Sequence, residues 1–351
     1  MNMRAGRYTG TGENPPTTGG ERPRVLVLAS EALFPFFFPE ENIARLDEVA
    51  QWERYAGRTD SPQLREMIAR SDALITTWHS PFLRAEMIDA ASRLGLIAHC
   101  GGEVRARVEE ALFDRIIVTN APQPMAMPAA EMAMAMALAL VRKLPAYQHG
   151  MRSGGNVNNN LATAGERLSG RRVGVVGFGR IGQTFARLIE PFGVELFVSD
   201  PTASAAEAAR CKATIVSLDE LLRACSVVVL AAALTAETRG MLDARRLSLL
   251  PDGAYLINVA RGGLIDMEAL LAQLRAGRIT AALDVTDPLE PLPEEHELRR
   301  LPNVLLTPHV AAGGVEVRRE MGAIAVEEVT RFLRGERPEN IVTREMLKRM
   351  T

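Results

Sequence analysis

With 351 residues, 47% of them hydrophobic and 24% charged, the chain has room for two domains of ordinary size and reads as a soluble globular protein. A net charge of −2 argues against nucleic acid or an anionic membrane as partner. The three cysteines, Cys100, Cys211 and Cys225, have neither metal-ligand spacing nor an even framework, so a reducing cytoplasm and no metal site are expected.

Residues 1–23 are rich in Gly, Thr and Pro and lack an apolar core, so a flexible tail is expected there and not a signal peptide. Short apolar runs then recur at Val25–Ala29, Ala73–Thr76, Leu94–Ala98 and Ile116–Thr119. Helical stretches separate them, such as Ser61–Ile68, which opens with a Ser N-cap and Pro at the first helical position. Strands alternating with helices predict a parallel sheet covered on both faces. The Met-rich run Met132–Val141 is the one candidate membrane segment. Bounded by Glu131 and Arg142, it is about half the length a bilayer needs and is read as a buried helix.

The segment Val173–Gly182 is the most informative of the chain. It predicts a buried strand, the loop Gly177-Phe178-Gly179-Arg180-Ile181-Gly182 and a helix over Gln183–Ile189. Such a loop turns tightly and lets a pyrophosphate approach bare amides at a helix N-terminus. A second strand, Val194–Ser199, ends in Asp200, 18 residues past Gly182. An acid near that spacing accepts from both ribose hydroxyls and repels a 2′-phosphate, which favours NAD over NADP. Further strands are predicted at Val227–Leu230, Tyr255–Asn258, Ala281–Val285 and Val304–Thr307, and an amphipathic helix at Val317–Leu333.

Ligands of doubly wound sheets sit at the carboxyl ends of the strands. Three candidates for carbonyl chemistry stand at such ends: Arg261 after Asn258, Glu290 after Asp284, and His309 after Thr307. A guanidinium fits a carboxylate or a polarised carbonyl, and an imidazole exchanges protons near working pH.

The run Leu256–Asp266 (Leu-Ile-Asn-Val-Ala-Arg-Gly-Gly-Leu-Ile-Asp), Ala282-Leu283-Asp284-Val285 with its Pro-rich continuation, and Leu306-Thr307-Pro308-His309 resemble the signatures of the D-isomer-specific 2-hydroxyacid dehydrogenases. The similarity runs from about Arg24 to about Leu333. It implies an α/β fold of two doubly wound parallel-sheet domains. One is a flavodoxin-like substrate domain, 24–127 with 309–351; the other is an inserted Rossmann NAD-binding domain, 128–308, with the site in the cleft. It also implies an oxidoreductase moving a hydride between NAD(H) and a 2-keto or D-2-hydroxy acid. Arg261 would bind the keto-carboxylate, His309 would exchange the proton, and Glu290 would hold His309 protonated for reduction. Gly177, Gly179, Arg180, Ile181, Gly182, Asp200, Asn258, Ala260, Arg261, Asp284 and His309 would contact the cofactor, Asp284 through the nicotinamide carboxamide. A homodimer formed around Pro128–Leu144 is implied as well.

The departures from the pattern bear on the site. The family's acid usually stands five residues after the Asp; here that position is Leu289 and Glu290 is one further, with Asp287 as the alternative acid. The segment His99–Arg105 stands where the family's carboxylate-binding loop lies, so Gly101 and Gly102 are candidate substrate residues, but the usual Asp-Asn after the glycine is missing. Ala231 and Ala233 replace a familiar His and Pro. Trp78 is a candidate for the substrate side, as against a packed loop aromatic, and Arg105 for a second acidic group. Glyoxylate, hydroxypyruvate, phosphoglycerate-type and bulkier keto acids all fit this reading. A formate-type dehydrogenase is disfavoured because no Gln stands near Glu290. A non-catalytic NAD-sensing protein similar to the C-terminal-binding corepressors is the rival from another class.

Overall fold

The computed structural model describes residues 22–91, 93–152, 154, 164–348 and 350, so most of the predicted N-terminal tail lies outside the described residues. The chain forms two compact units, one taking the chain up to Pro124 and again from Gly314, the other Met125–Gly313. These changes of unit fall three and five residues from the boundaries expected from sequence, and His309 thereby belongs to the second unit.

The first unit has a five-stranded, all-parallel sheet of β1 (Arg24–Leu28), β2 (Gln51–Tyr55), β3 (Ala73–Thr76), β4 (Leu96–His99) and β5 (Ile117–Asn120). The order is β2-β1-β3-β4-β5. The helix Pro62–Ala69 starts as the sequence predicts, with the Ser61 hydroxyl accepting from the Leu64 amide at 3.1 Å. β2 was not among the predicted strands. It is an edge strand of sequence Gln-Trp-Glu-Arg-Tyr, and its half-exposed polar residues hide the apolar run that marks the central strands.

The second unit contains seven parallel strands: β6 (Arg172–Val176), β7 (Glu195–Ser199), β8 (Ala213–Ile215), β9 (Val227–Leu230), β10 (Ala254–Asn258), β11 (Ile279–Leu283) and β12 (Val304–Leu306). Their order is β12-β11-β10-β9-β6-β7-β8. The chain leaves β6 toward β7 and β8, then crosses back to lay β9 on the other side of β6. That reversal makes a crevice at the carboxyl ends of β6 and β9, the place where doubly wound sheets bind ligands. Two apolar cores cover the faces of the sheet. One is built on Val173, Val175, Phe185 and Ile257, the other on Leu221, Val228, Leu256 and Leu270.

The helix Ala126–Val141 belongs to the first of these cores and packs against the helix Arg180–Ile189. Alanines at 129, 130, 133 and 137 are fully buried and let the two backbones approach. The apolar segment is longer than the ten-residue run suggested. With its preceding turn it spans Gln123–Val141, 19 residues of mean hydropathy 1.5, enough by length and composition to cross a membrane, and 44% of it is buried within the protein.

Candidate active site

Register decides which loops meet. Val176 pairs with Leu230, Leu230 with Asn258, Asn258 with Leu283, and Leu283 with Leu306, while Ser199 flanks Val176 on the other side. The next residue of each strand therefore stands in one row: Thr307, Asp284, Val259, Ala231, Gly177 and Asp200. Every candidate residue of the second unit lies on this row or within seven residues of it.

Gly177 has φ +90 and sits so close to the Ala231–Ala232 backbone that a Cβ would lie 2.5 Å from Ala232. Only glycine satisfies both conditions. Gly182 is buried against the Gly177 carbonyl, which closes the loop on the helix. Around Gly179 there is open space, and Gly179 caps the helix Arg180–Ile189 without a side-chain bond. The first-turn amides, with Arg180 exposed and Ile181 half-buried beside them, are thus presented as an anion cradle. Asp200 accepts from the Phe178 amide at 2.6 Å and from the Thr202 amide and hydroxyl at 2.7 Å each. Burial is the largest single influence on this carboxyl and opposes its ionisation. The hydrogen bonds from Phe178, Thr202 and Ala203 together outweigh it and hold the carboxyl below its ordinary range. An acid that is ionised at neutral pH beside the loop, together with the open cradle, fits a dinucleotide.

Asn258 is fully buried and uses both ends of its amide to shape the next loop. Its Oδ1 accepts from Ala260 N at 3.0 Å and its Nδ2 donates to the Arg261 carbonyl at 2.9 Å. Arg261 follows, half-buried, with Nη1 donating to the Ala260 carbonyl at 2.7 Å. Asp284, which the resemblance implies as a cofactor contact, caps the turn that follows β12. It is 2% exposed, and it gathers the Thr307 hydroxyl at 2.5 Å, the Val310 amide at 2.9 Å and the Ala311 amide at 2.8 Å. Its backbone carbonyl accepts from His309 N at 2.8 Å. These contacts fix His309 at φ 55, a left-handed conformation that a non-glycine residue keeps only when its surroundings impose it.

His309 Nδ1 lies 2.8 Å from Glu290 Oε2. An ionised carboxylate only accepts, so Nδ1 carries the hydrogen and Nε2 is the atom left to exchange a proton with a substrate. Both side chains are partly exposed, 45% and 38%, and line a cavity of about 420 Å³ together with Asp284, Thr286 and Arg299. Asp287, the alternative acid, instead pairs with Arg239 at 3.2 Å. Thr286, Arg299 and Thr307 were not singled out from sequence. Their contributions come from loop closure, which residue type and spacing do not report.

In the first unit the remaining candidates follow β3 and β4. Gly101 is buried, and a Cβ there would press on His99 Nε2 at 2.5 Å and Trp78 Nε1 at 3.0 Å. Its amide donates to the His99 carbonyl at 2.9 Å, and the Gly102 carbonyl accepts from Asn120 at 2.7 Å. Burial depresses the His99 imidazole to about 3, with Arg107 adding to the effect, so His99 is a neutral packing group bonded to the Thr76 hydroxyl at 2.9 Å. Trp78 is half-buried, edge-on to Phe37 at 5.5 Å and under the Arg318 guanidinium at 5.2 Å, the contacts of a packed loop aromatic. Arg105 is exposed.

Residues 134–311 match the family model described as "D-isomer specific 2-hydroxyacid dehydrogenase, NAD binding domain". The chain is 35% identical over 335 residues to a glyoxylate reductase of Thermococcus onnurineus, covering 93% of this chain and 97% of that one. It is 33% identical to a D-3-phosphoglycerate dehydrogenase of Methanocaldococcus jannaschii, covering 86% of this chain and 57% of that one. Among solved structures, an NADPH-dependent glyoxylate/hydroxypyruvate reductase of Sinorhizobium meliloti superposes with a TM-score of 0.75 at 27% identity, covering 92% and 98% of the two chains. With its model matched across half of the chain and a glyoxylate reductase aligned nearly end to end, the protein belongs to the D-isomer-specific 2-hydroxyacid dehydrogenase family.

Proposed function

We propose that the protein is an NAD-dependent reductase of small 2-keto acids, with glyoxylate and hydroxypyruvate as the first substrates to test. The observation that carries this is the 2.8 Å contact of His309 with Glu290 on the row of strand ends that also holds the glycine loop and Arg261. NADH supplies the hydride. His309 delivers the proton to the developing alkoxide through Nε2, and Arg261 clamps the keto-carboxylate. Glu290 accepts from Nδ1 and so orients the ring with Nε2 free for the transfer. In this reading the second unit takes NAD and carries the His309–Glu290 pair. The relatives named as glyoxylate and glyoxylate/hydroxypyruvate reductases align over nearly their whole length, which ranks those acids above phosphoglycerate.

The test is NADH oxidation against a panel of glyoxylate, hydroxypyruvate, pyruvate, 3-phosphohydroxypyruvate and bulkier keto acids. NADH binding with no turnover of any of them would overturn the proposal and favour a non-catalytic NAD sensor. The acid is tested by pH profiles. Glu290→Gln is expected to move the alkaline limit of reduction to lower pH, because the neutral amide no longer favours the protonated imidazole on which reduction depends. Asp287→Asn, whose side chain faces Arg239, is expected to leave that limit in place. The opposite pattern would make Asp287 the acid.

The same proposal includes a cytoplasmic homodimer with neither nucleic acid nor membrane as partner. The helix Ala126–Val141 keeps Met127 at 49% exposure and Ala135 exposed, with Glu131 exposed between them and Met132 and Leu138 half-buried. A second copy covering that stripe would remove an apolar patch from water. Light scattering at micromolar concentration is expected to give twice the chain mass, and a monomer would count against the assignment. The buried free thiols Cys100, Cys211 and Cys225 suit a reducing compartment.

A further inference from the structure

Six residues lead from Asp284, just past β11, to Glu290, and the intervening loop carries the acid that meets His309. Leu289, immediately before the acid, is 47% exposed and offers little packing to hold it. A glutamate on such a loop has several rotamers open to it, and most of them would miss His309. Thr286 closes the loop. Its hydroxyl donates to the Leu289 carbonyl at 2.6 Å, fixing the peptide that precedes Glu290. Its own amide reaches Glu290 Oε1 at a long 3.4 Å, which leaves Oε2 for His309. Thr286 is itself seated. Val285 before it is buried, and the Thr286 carbonyl lies against Gly262, where any Cβ would collide with it. The turn therefore rests on the loop that carries Arg261.

We infer that Thr286 is a positioning residue for the His309–Glu290 pair: its hydroxyl turn lets a loop of this length present Glu290 to His309, with Gly262 as the surface the turn rests on. The kinetic part of this inference rests on the proposed reductase activity. Among the described residues, the charged groups that line the cavity with Glu290 are His309, Arg299 and Asp284, and Asp287 stands on the same loop. Arg299 donates to the Pro293 carbonyl at 2.9 Å and to the Leu292 carbonyl at 2.7 Å, Asp284 is occupied by Thr307, Val310 and Ala311, and Asp287 pairs with Arg239. None of these contacts uses the Thr286 hydroxyl. A change in pH behaviour on removing that hydroxyl therefore reports on Glu290.

The test compares Thr286→Val, which keeps the shape and loses the donor, with Thr286→Ser, which keeps the donor. Thr286→Val is expected to lower kcat for keto-acid reduction roughly five- to tenfold, the size of one lost hydrogen bond. Its alkaline limit should move to lower pH as in Glu290→Gln, with KM for NADH and Tm unchanged, while Thr286→Ser behaves as the unmodified protein. In the Glu290→Gln background Thr286→Val should cost little more, because no charge remains to be placed. The titration of the His309 ring resonance, followed by NMR without turnover, should move to lower pH in Thr286→Val. An unmoved His309 titration, or a kinetic loss fully additive with Glu290→Gln, would overturn the inference. If the unmodified protein reduces no keto acid while the His309 titration still responds to Thr286→Val, the reductase reading fails and the positioning role stands.

Discussion

Replacing His309 with alanine is expected to lower kcat for 2-keto acid reduction by roughly two to four orders of magnitude, the usual contribution of a placed general acid. The imidazole is set in place by constraints from two directions. Asp284 collects the amides of Val310 and Ala311, which follow His309, and Glu290 holds Nδ1 at 2.8 Å. Both act on orientation, so the substitution removes a positioned proton donor and not merely a titratable group. NADH binding should survive, because the glycine loop and Asp200 make their contacts without His309. The backbone at 309 is left-handed, so His309→Asn, a residue that tolerates φ near 55, serves as a second variant if alanine lowers Tm. A variant of either kind that keeps more than about a tenth of the kcat would remove His309 from the role of proton donor.

Where the sequence was legible, the reason is physical. Central strands of a parallel sheet are buried on both faces and read as unbroken apolar runs, so β3, β6, β9 and β10 are visible almost to the residue. The edges were not. β2 is largely polar, and β8 has three residues of which Thr214 and Ile215 are exposed, so neither carries that signal. The candidate site divides the same way. Gly177, Gly182 and Asp200 were legible because backbone geometry and charge restrict those positions to one or two residue types. For the acid partner of His309 the sequence points to Glu290 but leaves Asp287 open, because a loop can bring either back to a strand end. What separates them is Arg239, 48 positions before Asp287, and the closure of the loop by Thr286. Spacing along the chain carries no information about either.

The other large effect expected is on cofactor choice. Unmodified protein should prefer NADH over NADPH in kcat/KM by roughly two to four orders of magnitude. A 2′-phosphate charge about 4 Å from Asp200 would meet a repulsion of about 1 kcal/mol in water, rising to about 4 kcal/mol at an effective dielectric of 20. Loss of ribose hydroxyl bonds to a charged acceptor adds roughly 1.5–3 kcal/mol. The fold alone does not set the preference, since a structurally similar reductase uses NADPH; in this chain the charge of Asp200 has to supply it. That charge persists into acid. The carboxyl is held below its ordinary range, so it stays ionised until the pH falls through that lowered value, and the preference should be undiminished at about pH 5. Asp200→Asn keeps the size of the side chain and one acceptor for the Phe178 and Thr202 donors while removing the charge. It should therefore raise kcat/KM for NADPH by more than it lowers that for NADH. Asp200→Ala also releases those donors and should weaken both cofactors. Equal use of the two cofactors by the unmodified protein, or a preference that Asp200→Asn leaves intact, would mean that the ribose lies elsewhere and that Asp200 serves only to brace the glycine loop.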